Sequence, residues 1–416
     1  MSSTYEIVNR QKNVEIFGIR LKELVEAKLI SDGVELSCLI AIHNTSLGPS
    51  LGGLRFDSYE DFKEKAEELG LAIKSPLHYA VWDVARLAEG MTKKAAVHDL
   101  ELGGGKAVII GDPNKDKSEK LFREFGRLVN SLKGKYITAE DSGTNTEDME
   151  IIAKETPYVV GLNSYNGLIG SGDPGPFTAY GVSRAIEAAV PYRFKNQDLR
   201  DRVLSVQGIG NVGFPLIFGF PKDEKFDSVR FLFTPLIERF KKIIISDTDP
   251  KKIARAEEEA IELGLYSKLK FVEHNAILTQ KTDIYAPCLR QGGILDERNI
   301  HLLYENGCKI IAGATNHQLA REEDGELLHN LRILYIRDYV ANGGGLTNVY
   351  LEWLSRQKNE NYSVKSAVDR VGFIFYTVKD LLERSTQENK STTRIANQIA
   401  EEKIKAKKSK LQKVVA

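Results

Sequence analysis

Apolar and polar positions alternate along the first third of the chain as they do in α/β proteins. Apolar runs predict three strands, over residues 35–44, 107–110 and 135–141. Apolar positions spaced along one helix face predict helices over 61–73 and 118–132, the second with Ser118 as its N-cap. The first third is therefore expected to fold as an α/β domain.

The second half alternates between strands and helices more regularly. Its apolar runs predict six strands, over residues 203–207, 241–247, 270–273, 282–287, 309–314 and 332–336. Helices are predicted over 250–264 and over 173–190, where Pro176 opens the first turn. This alternation is typical of a parallel sheet wound with helices.

A glycine motif, GIGNVG, directly follows the predicted strand 203–207. Its glycines are Gly208, Gly210 and Gly213, and Asn211 and Val212 lie between the last two. In a dinucleotide-binding unit the first glycine makes a tight turn, the second lets the pyrophosphate approach the backbone, and the third allows close helix packing. The motif favours a nucleotide site, with a purely structural turn as the alternative.

The next predicted strand ends on Asp247. An acid at this position accepts hydrogen bonds from the ribose hydroxyls and repels a 2′-phosphate, which favours NAD over NADP. Asp247 lies 34 residues beyond Gly213, although the usual spacing is about 20. The intervening segment 214–240 holds seven of the 17 phenylalanines and three prolines, so it cannot be one uninterrupted helix and is interpreted as an insertion.

Composition favours a small-molecule ligand. Lys plus Arg number 58, as do Asp plus Glu, so no overall field favours nucleic acid or an anionic membrane. No segment approaches the roughly 18 apolar residues of a membrane helix, and we expect a cytoplasmic protein. The cysteines and histidines show no CxxC or HExxH spacing, so no metal site is predicted. The six lysines from Lys403 to Lys413 are interpreted as a solvated helix end or a weak polyanion contact.

Residues 91–113, MTKKAAVHDLELGGGKAVIIGDP, place three glycines and a lysine before an apolar strand. The glycines, 103–105, indicate a need for bare backbone or unusual dihedral angles. Ala107 follows Lys106, so no Walker loop is formed. Lys94, Lys106 and Asp141 remain as candidate chemistry, since a lysine whose pKa falls from about 10.4 to roughly 7 or 8 can act as acid or base. For each lysine alone, a solvated side chain is the alternative.

At these residues the chain resembles the glutamate/leucine/phenylalanine/valine dehydrogenases, in particular their leucine dehydrogenase branch. Similar motifs occur in family order over residues 47–56, 91–113, 136–149, 171–182, 206–213, 283–288, 311–319 and 338–349. The similarity extends from about residue 20 to about residue 405. Several motifs in one order are far more specific than the glycine motif alone.

The resemblance implies reversible oxidative deamination of an L-amino acid to a 2-oxo acid and ammonia, with hydride passed to a nicotinamide cofactor. It implies that Lys94 binds the substrate α-carboxylate, that Lys106 activates water and that Asp141 moves protons. Gly52 and Gly53 would line the cleft. The implied cofactor-positioning residues are Thr178, Ala286 and Asn316, of which Asn316 also reaches the substrate.

The resemblance also bears on the substrate side chain. Glutamate-specific relatives carry a lysine just before the GGLRF segment and a serine on the late glycine-rich loop. Here these positions are Leu51 and Val349, and burying a carboxylate against two apolar groups is costly, so glutamate is disfavoured. Ala139 resembles the leucine type, whereas Leu346 resembles the phenylalanine type. We expect a branched-chain aliphatic substrate, with a phenylalanine-type enzyme as the alternative.

The predicted fold class is α/β, with two domains flanking a cleft. Residues 1–160 are expected to form a substrate-binding and oligomerisation domain, on which helices within 366–416 pack back. Residues 161–365 are expected to form a Rossmann-type, doubly wound NAD-binding domain, and the resemblance implies a homo-oligomer. Two insertions, 70–84 and 214–240, fall in helices that support site loops, so a catalytically silent NAD-binding or regulatory protein is the alternative function.

Overall fold

A computed structural model describes residues 5–31, 33–68 and 70–415. The chain divides into two compact units. The first unit comprises Met1–Asp173, Val349–Ser363 and Ala400–Ala416, and the second comprises Pro174–Asn348 and Val364–Ile399.

The first unit is built on a mixed six-stranded sheet, in the order β1-β2-β3-β5-β4-β6. The strands are β1 Tyr5–Ile16, β2 Ile19–Ser31, β3 Val34–Asn44, β4 Ser50–Asp57, β5 Gly103–Ile110 and β6 Tyr136–Glu140. The pairs β1–β2, β2–β3 and β3–β5 are antiparallel, whereas β4 is parallel to β5 and β6. A small hairpin, β7 Ser164–Tyr165 and β8 Leu168–Ile169, follows. Strands β3, β5 and β6 confirm the three predicted strands, and β1, β2 and β4 are additional.

Helices cover both faces of this sheet. They are α1 Phe62–Glu68, α2 Pro76–Val97, α3 Glu119–Ser131 and α4 Thr146–Ala153. Leu39 and Ala41 of β3 pack with α2, while Cys38 and Ile40 pack with α3 and α4, because successive strand residues point to opposite faces. Ser118 caps α3 as predicted, since its side chain accepts a hydrogen bond from the Leu121 N–H at 3.2 Å.

The second unit contains a six-stranded parallel sheet in the order β11-β10-β9-β12-β13-β14. The strands are β9 Val203–Gln207, β10 Lys242–Ser246, β11 Leu269–Phe271, β12 Ile284–Pro287, β13 Ile310–Ile311 and β14 Leu334–Tyr335. Counted from β9, this order is 3-2-1-4-5-6, which is that of the Rossmann fold. The predicted fold class is confirmed.

Helices and short turns connect these strands. The helices that begin in the second unit are α5 Gly175–Phe194, α6 Gly213–Phe218, α7 Leu236–Arg239, α8 Pro250–Glu262, α9 Glu297–Glu305, α10 Asp324–Asn330, α11 Asp338–Ala341, α12 Gly344–Gln357, α13 Val364–Gly372, α14 Ile374–Glu388 and α15 Thr392–Val415. Helices α12 and α15 each begin in the second unit and end in the first.

The two segments interpreted as insertions fold differently from each other. Residues 214–240 form α6, two 3-10 turns and α7, and the Phe220 ring stacks on Phe226 with centroids 4.9 Å apart. Phe177 of α5 also packs on Phe220, so this segment folds as an aromatic cluster on α5. The segment 70–84 is non-helical only in its first part, residues 70–75. Residues 76–84 are the first turns of α2, which runs unbroken to Val97 after the Ser75 N-cap.

The observed division differs from the expected domain boundaries in three ways, the first being that residues 349–363, expected in the nucleotide-binding domain, belong to the first unit. Residues 161–173 belong to the first unit because Glu352, also in that unit, accepts hydrogen bonds from the backbone N–H groups of Gly161 and Ser171. Residues 364–399 belong to the second unit rather than packing back on the first. Their apolar stripe packs on α5, and the Tyr192 hydroxyl donates a hydrogen bond to the Leu382 carbonyl at 2.8 Å.

Only the last part of α15 belongs to the first unit. Lys403 Nζ donates to Asp99 Oδ2 at 2.8 Å, and Lys407 Nζ donates to Glu101 Oε1 at 2.6 Å. These two lysines of the basic C-terminus therefore pair with the turn that precedes the glycine run, instead of being wholly solvated.

Candidate active site

Lys106 and Asp141 form an ion pair in the first unit. Lys106 Nζ lies 2.8 Å from Asp141 Oδ2, and the lysine side chain is only 3% exposed. Burial lowers the pKa of Lys106, and the Arg55 guanidinium lowers it further, against the opposing effect of Asp141. Burial alone would raise the pKa of Asp141, but Lys106 and Arg55 together lower it well below its usual range. The pair thus combines an ionised carboxylate with a lysine that is easier to deprotonate than in water.

A short turn holds Asp141 just beyond the end of β6. The Asp141 N–H donates to Thr144 Oγ1 at 2.9 Å, and the Thr144 hydroxyl donates to the Leu54 carbonyl at 2.9 Å. Lys106 reaches Asp141 from β5, two strands away, because β4 between them carries Gly52 and Gly53. A Cβ at Gly53 would lie 2.7 Å from Asp141 Cβ, so the missing side chain leaves room for the acid.

Arg55 and Asp83 belong to the same charged cluster and were not singled out from the sequence. Arg55 Nε lies 3.3 Å from Asp141 Oδ2, and Arg55 Nη1 lies 2.8 Å from Asp83 Oδ2. The Tyr59 hydroxyl donates to the same Asp83 oxygen at 2.9 Å. Arg55 lies within the GGLRF segment, and an arginine in a buried strand is a signal that could have identified it.

The glycine run brings α2 against the sheet. A Cβ at Gly104 would be 2.3 Å from the Ala88 carbonyl and 2.3 Å from the Thr92 amide nitrogen, both in α2. At Gly103 it would be 1.8 Å from the Asn44 carbonyl. The glycine run therefore allows the backbone of β5 to lie close to the backbone of α2 and of Asn44. Lys94, two residues beyond Thr92, is 9% exposed, so a fully solvated side chain is ruled out for it.

The apolar residues predicted to contact the substrate are buried. Leu51 is on β4 beside Gly104 of β5, and Ala139 is on β6 beside Gly53. Leu346 and Val349 are both on α12, with Leu346 in the second unit and Val349 in the first. Position 51 therefore presents an apolar side chain to the interior of the first unit.

In the second unit, the GIGNVG motif occupies the turn between β9 and α6. Gly208 has φ +89°, and a Cβ there would lie 2.6 Å from the Cys288 carbonyl. A Cβ at Gly213 would lie 1.9 Å from the Gly208 carbonyl. A Cβ at Gly210, by contrast, would have Lys252 Nζ at 4.0 Å as its nearest neighbour. The first and third glycines are required for packing, while the second leaves open space for an approaching group.

Asp247 lies immediately after β10, next to this turn. Its Oδ2 accepts from the Ile209 N–H at 2.8 Å, and its Oδ1 accepts from the Asp249 N–H at 2.9 Å. Burial opposes the charge, yet these N–H groups and Lys252 lower the pKa of Asp247. Asp247 is therefore an ionised acid at the carboxyl edge of the sheet, despite the insertion before it.

The remaining predicted cofactor residues also lie in the second unit. They are Asn211 and Val212 in the glycine turn, Thr178 on α5, Ala286 on β12 and Asn316 after β13. Asn342 Nδ2 donates to Asn316 Oδ1 at 2.9 Å, and Thr178 Oγ1 donates to the Pro174 carbonyl at 3.1 Å.

Within the described ranges, no group of three His, Cys, Asp or Glu side chains could hold a metal ion. Cys38, Cys288 and Cys308 are free thiols. Across the same residues, no helix is both long and apolar enough to span a membrane.

A Rossmann-type sheet with an open glycine turn, together with a separate unit carrying a buried lysine–carboxylate pair, defines a dinucleotide-dependent dehydrogenase class. Two family models match the chain: "Glu/Leu/Phe/Val dehydrogenase, dimerisation domain" over residues 27–158 and "Glutamate/Leucine/Phenylalanine/Valine dehydrogenase" over residues 170–411. The chain belongs to this family of amino-acid dehydrogenases, which use NAD or NADP.

Individual relatives differ in their named substrate. Leucine dehydrogenase of Bacillus cereus is 38% identical over 90% of this chain and 88% of its own. Phenylalanine dehydrogenase of Caldalkalibacillus thermarum is 35% identical over 89% and 88%. The crystal structure of L-tryptophan dehydrogenase from Nostoc punctiforme is similar with a TM-score of 0.65 and 34% identity, covering 90% of this chain and 94% of that one.

Proposed function

We propose that this chain catalyses the reversible, NAD-dependent oxidative deamination of an apolar, branched-chain L-amino acid to the 2-oxo acid and ammonia. The observation that carries the proposal is the buried Lys106–Asp141 pair, with Nζ and Oδ2 2.8 Å apart. A buried lysine with a lowered pKa next to an ionised acid can donate and accept protons near neutral pH.

Each group has a separate task. Lys94 holds the substrate α-carboxylate as a cationic anchor, and bound NAD would supply the hydride acceptor for the α-carbon. Neutral Lys106 removes a proton from the water that attacks the resulting imine carbon, so a C–O bond forms as an O–H bond breaks. Asp141 carries this proton from Lys106 to the substrate nitrogen. Lys106 then takes the proton of the adduct hydroxyl, so the C=O bond forms as the C–N bond breaks and the nitrogen leaves as ammonia.

The second unit fits the cofactor. Gly210 leaves open space where a pyrophosphate would approach, and Gly208 and Gly213 make the tight turn around it. Asp247 would accept hydrogen bonds from the ribose hydroxyls and repel a 2′-phosphate, which supports NAD over NADP. Thr178, Ala286 and Asn316 are proposed to position the cofactor.

Substrate choice rests on the apolar lining. Leu51 and Val349 are buried and offer no cation to a side-chain carboxylate, which disfavours glutamate. Ala139 favours the leucine type. Leu346 favours a phenylalanine-type enzyme as the second candidate, since one methylene in an apolar pocket discriminates by only about 1–3 kcal/mol.

Assembly and location are also part of the proposal. The family model over residues 27–158 is described as a dimerisation domain, which supports a homo-oligomer built through the first unit. We propose that the protein acts in the cytoplasm on a free amino acid.

The test is NADH formation by the purified protein with NAD and, separately, L-leucine, L-valine, L-isoleucine, L-phenylalanine, L-tryptophan and L-glutamate, repeated with NADP. The highest kcat/KM with a branched-chain substrate and NAD is expected. A preference for an aromatic substrate would favour the second candidate. Absence of turnover with every amino acid, while NADH still binds, would identify a silent nucleotide-binding protein.

A further inference from the structure

Five charged side chains form an alternating chain inside the first unit. Lys106 contacts Asp141, Asp141 contacts Arg55, and Arg55 contacts Asp83. Arg86 Nη2 lies 3.6 Å from the other oxygen of Asp83 and closes the chain. The side chains of Lys106 and Asp83 are each 3% exposed, and that of Arg55 is 14% exposed. Because charges in such an interior are weakly screened, each one affects its neighbours strongly.

The cluster connects the reacting pair to the helix that carries Lys94. Asp83 and Lys94 are both on α2 and are 11 residues apart, which is close to three helical turns and places them on one face. Arg55 is on β4 directly after Leu54, which pairs with Glu140 at the end of β6. A single guanidinium thus contacts both the carboxylate of the Lys106 pair and the helix proposed to anchor the substrate.

Arg55 and Asp83 shift the pKa of Lys106 in opposite directions. The groups that face Lys106 are Asp141, Arg55 and Asp83, and those that face Arg55 also include Asp57 and Tyr59. The positive charge of Arg55 lowers the pKa of Lys106, whereas the negative charge of Asp83 raises it. Burial has the largest effect on the pKa of Lys106, and it lowers that pKa. The charges of Arg55 and Asp83 therefore make smaller changes to a pKa that burial has already shifted.

We propose that Arg55 is a positioning residue that, held by Asp83 of α2, fixes the Lys106–Asp141 pair in register with Lys94. This role rests on the proposed function for its catalytic consequence. Its electrostatic part concerns Lys106 alone and can be measured without turnover.

The experiment measures the Lys106 pKa by NMR of protein labelled with ε-¹³C lysine, with the signal assigned by its absence in Lys106→Met. We expect Arg55→Gln to raise the pKa of Lys106, Asp83→Asn to lower it, and Arg55→Lys to leave it close to the wild-type value. In parallel, the pH profile of kcat should move to higher pH in Arg55→Gln and to lower pH in Asp83→Asn. Turnover of Arg55→Gln at pH 8 should fall about tenfold, and up to about a hundredfold where the pair is displaced.

The opposite shifts expected for the Lys106 pKa in Arg55→Gln and Asp83→Asn distinguish this role from a general loosening of the fold. A looser fold would shift the Lys106 pKa in the same direction in both variants. Arg123→Gln is the matched control, since Arg123 lies on α3 in the same unit and pairs with Glu119 and Glu155. An unchanged Lys106 pKa in Arg55→Gln, or shifts of one sign in both variants, would overturn the proposal. If Arg55→Gln does not fold, the other two variants test the proposal. The pKa of Lys106 should then fall in Asp83→Asn and stay close to the wild-type value in Arg55→Lys, and any other result would overturn the proposal. A wild-type protein without turnover that still shows the opposite shifts would refute the proposed function and leave the electrostatic role standing.

Discussion

Gly104 of β5 lies against Thr92 of α2 so closely that a Cβ at position 104 would be 2.3 Å from the Thr92 amide nitrogen. The contact joins the strand that carries Lys106 to the helix that carries Lys94. The relative position of the two lysines therefore depends on a glycine that lacks any chemistry of its own.

Gly104→Ala should push α2 away from the sheet. Because backbone atoms cannot yield as a flexible side chain can, we expect a loss of about 1–3 kcal/mol in the free energy of unfolding and a raised KM for the amino acid. Denaturant unfolding and steady-state kinetics measure both effects. Gly372→Ala is the control, since a Cβ there would lie 3.6 Å from the Tyr180 hydroxyl and should be accommodated. Wild-type stability and KM in Gly104→Ala would contradict this account of the glycine run.

Lys106→Ala and Asp141→Asn should each remove the proton-transfer step. We expect kcat to fall by about 10²–10⁴-fold, while NADH binding is retained because the glycine turn lies in the other unit. Steady-state assays measure kcat, and titration of NADH fluorescence measures cofactor binding separately. Lys93→Ala is a matched lysine control, since Lys93 pairs with Glu89 on α2 and has no proposed role. A Lys106→Ala protein with undiminished turnover would end the catalytic assignment.

Glu140 should make stability depend on pH near neutrality. Burial and the neighbouring Asp173 raise the pKa of Glu140 to about 7. A group whose pKa is higher in the folded state contributes stability fully below its unfolded pKa, near 4.5, and this contribution is lost as pH rises through about 7. Glu140→Gln should therefore stabilise the protein at pH 8, by at most about 3 kcal/mol, and have little effect at pH 5.

Unfolding by denaturant at the two pH values tests this expectation. Glu147→Gln is the control, because Glu147 is an exposed acid in the first turn of the neighbouring helix α4. Equal effects of Glu140→Gln at pH 5 and pH 8 would show that the carboxyl group does not titrate in this range.

Two glycines of the nucleotide motif should respond differently to alanine. Gly210→Ala should fold normally and lose NAD affinity, since the Cβ enters open space where the pyrophosphate approaches. Gly213→Ala should lower the thermal unfolding midpoint, because its Cβ would lie 1.9 Å from the Gly208 carbonyl. Thermal unfolding and calorimetric NAD titration distinguish the two. Normal NAD affinity in Gly210→Ala would mean that the cofactor binds elsewhere.

Leu51→Lys should shift substrate preference toward glutamate. The new ammonium group would pair with a side-chain carboxylate that otherwise has no partner, so the ratio of kcat/KM for glutamate to that for leucine should rise at least about tenfold. Leu51→Met, which keeps the apolar character and volume, is the control and should retain the original preference. An unchanged ratio in Leu51→Lys would place the substrate side chain away from position 51.

The sequence by itself determined the elements whose signals are local. Strand β9 was predicted at its observed residues, and the glycine turn and the acid after β10 followed from a motif of a few residues. Period-two alternation, helical periodicity and turn chemistry depend only on neighbouring residues, so they remain readable in one chain. The strands β1 and β4 were missed because β1 is mostly exposed and β4 contains two glycines, which removes the apolar pattern from both.

Only the tertiary structure decided which distant charges meet. Arg55 and Asp141 are separated by 86 residues and Arg55 and Asp83 by 28, and no local pattern relates them. The membership of 364–399 in the second unit likewise follows from packing on α5 rather than from position in the chain. Burial and ion pairing are set by the whole fold, so the perturbed pKa of Lys106 is a property of the tertiary structure.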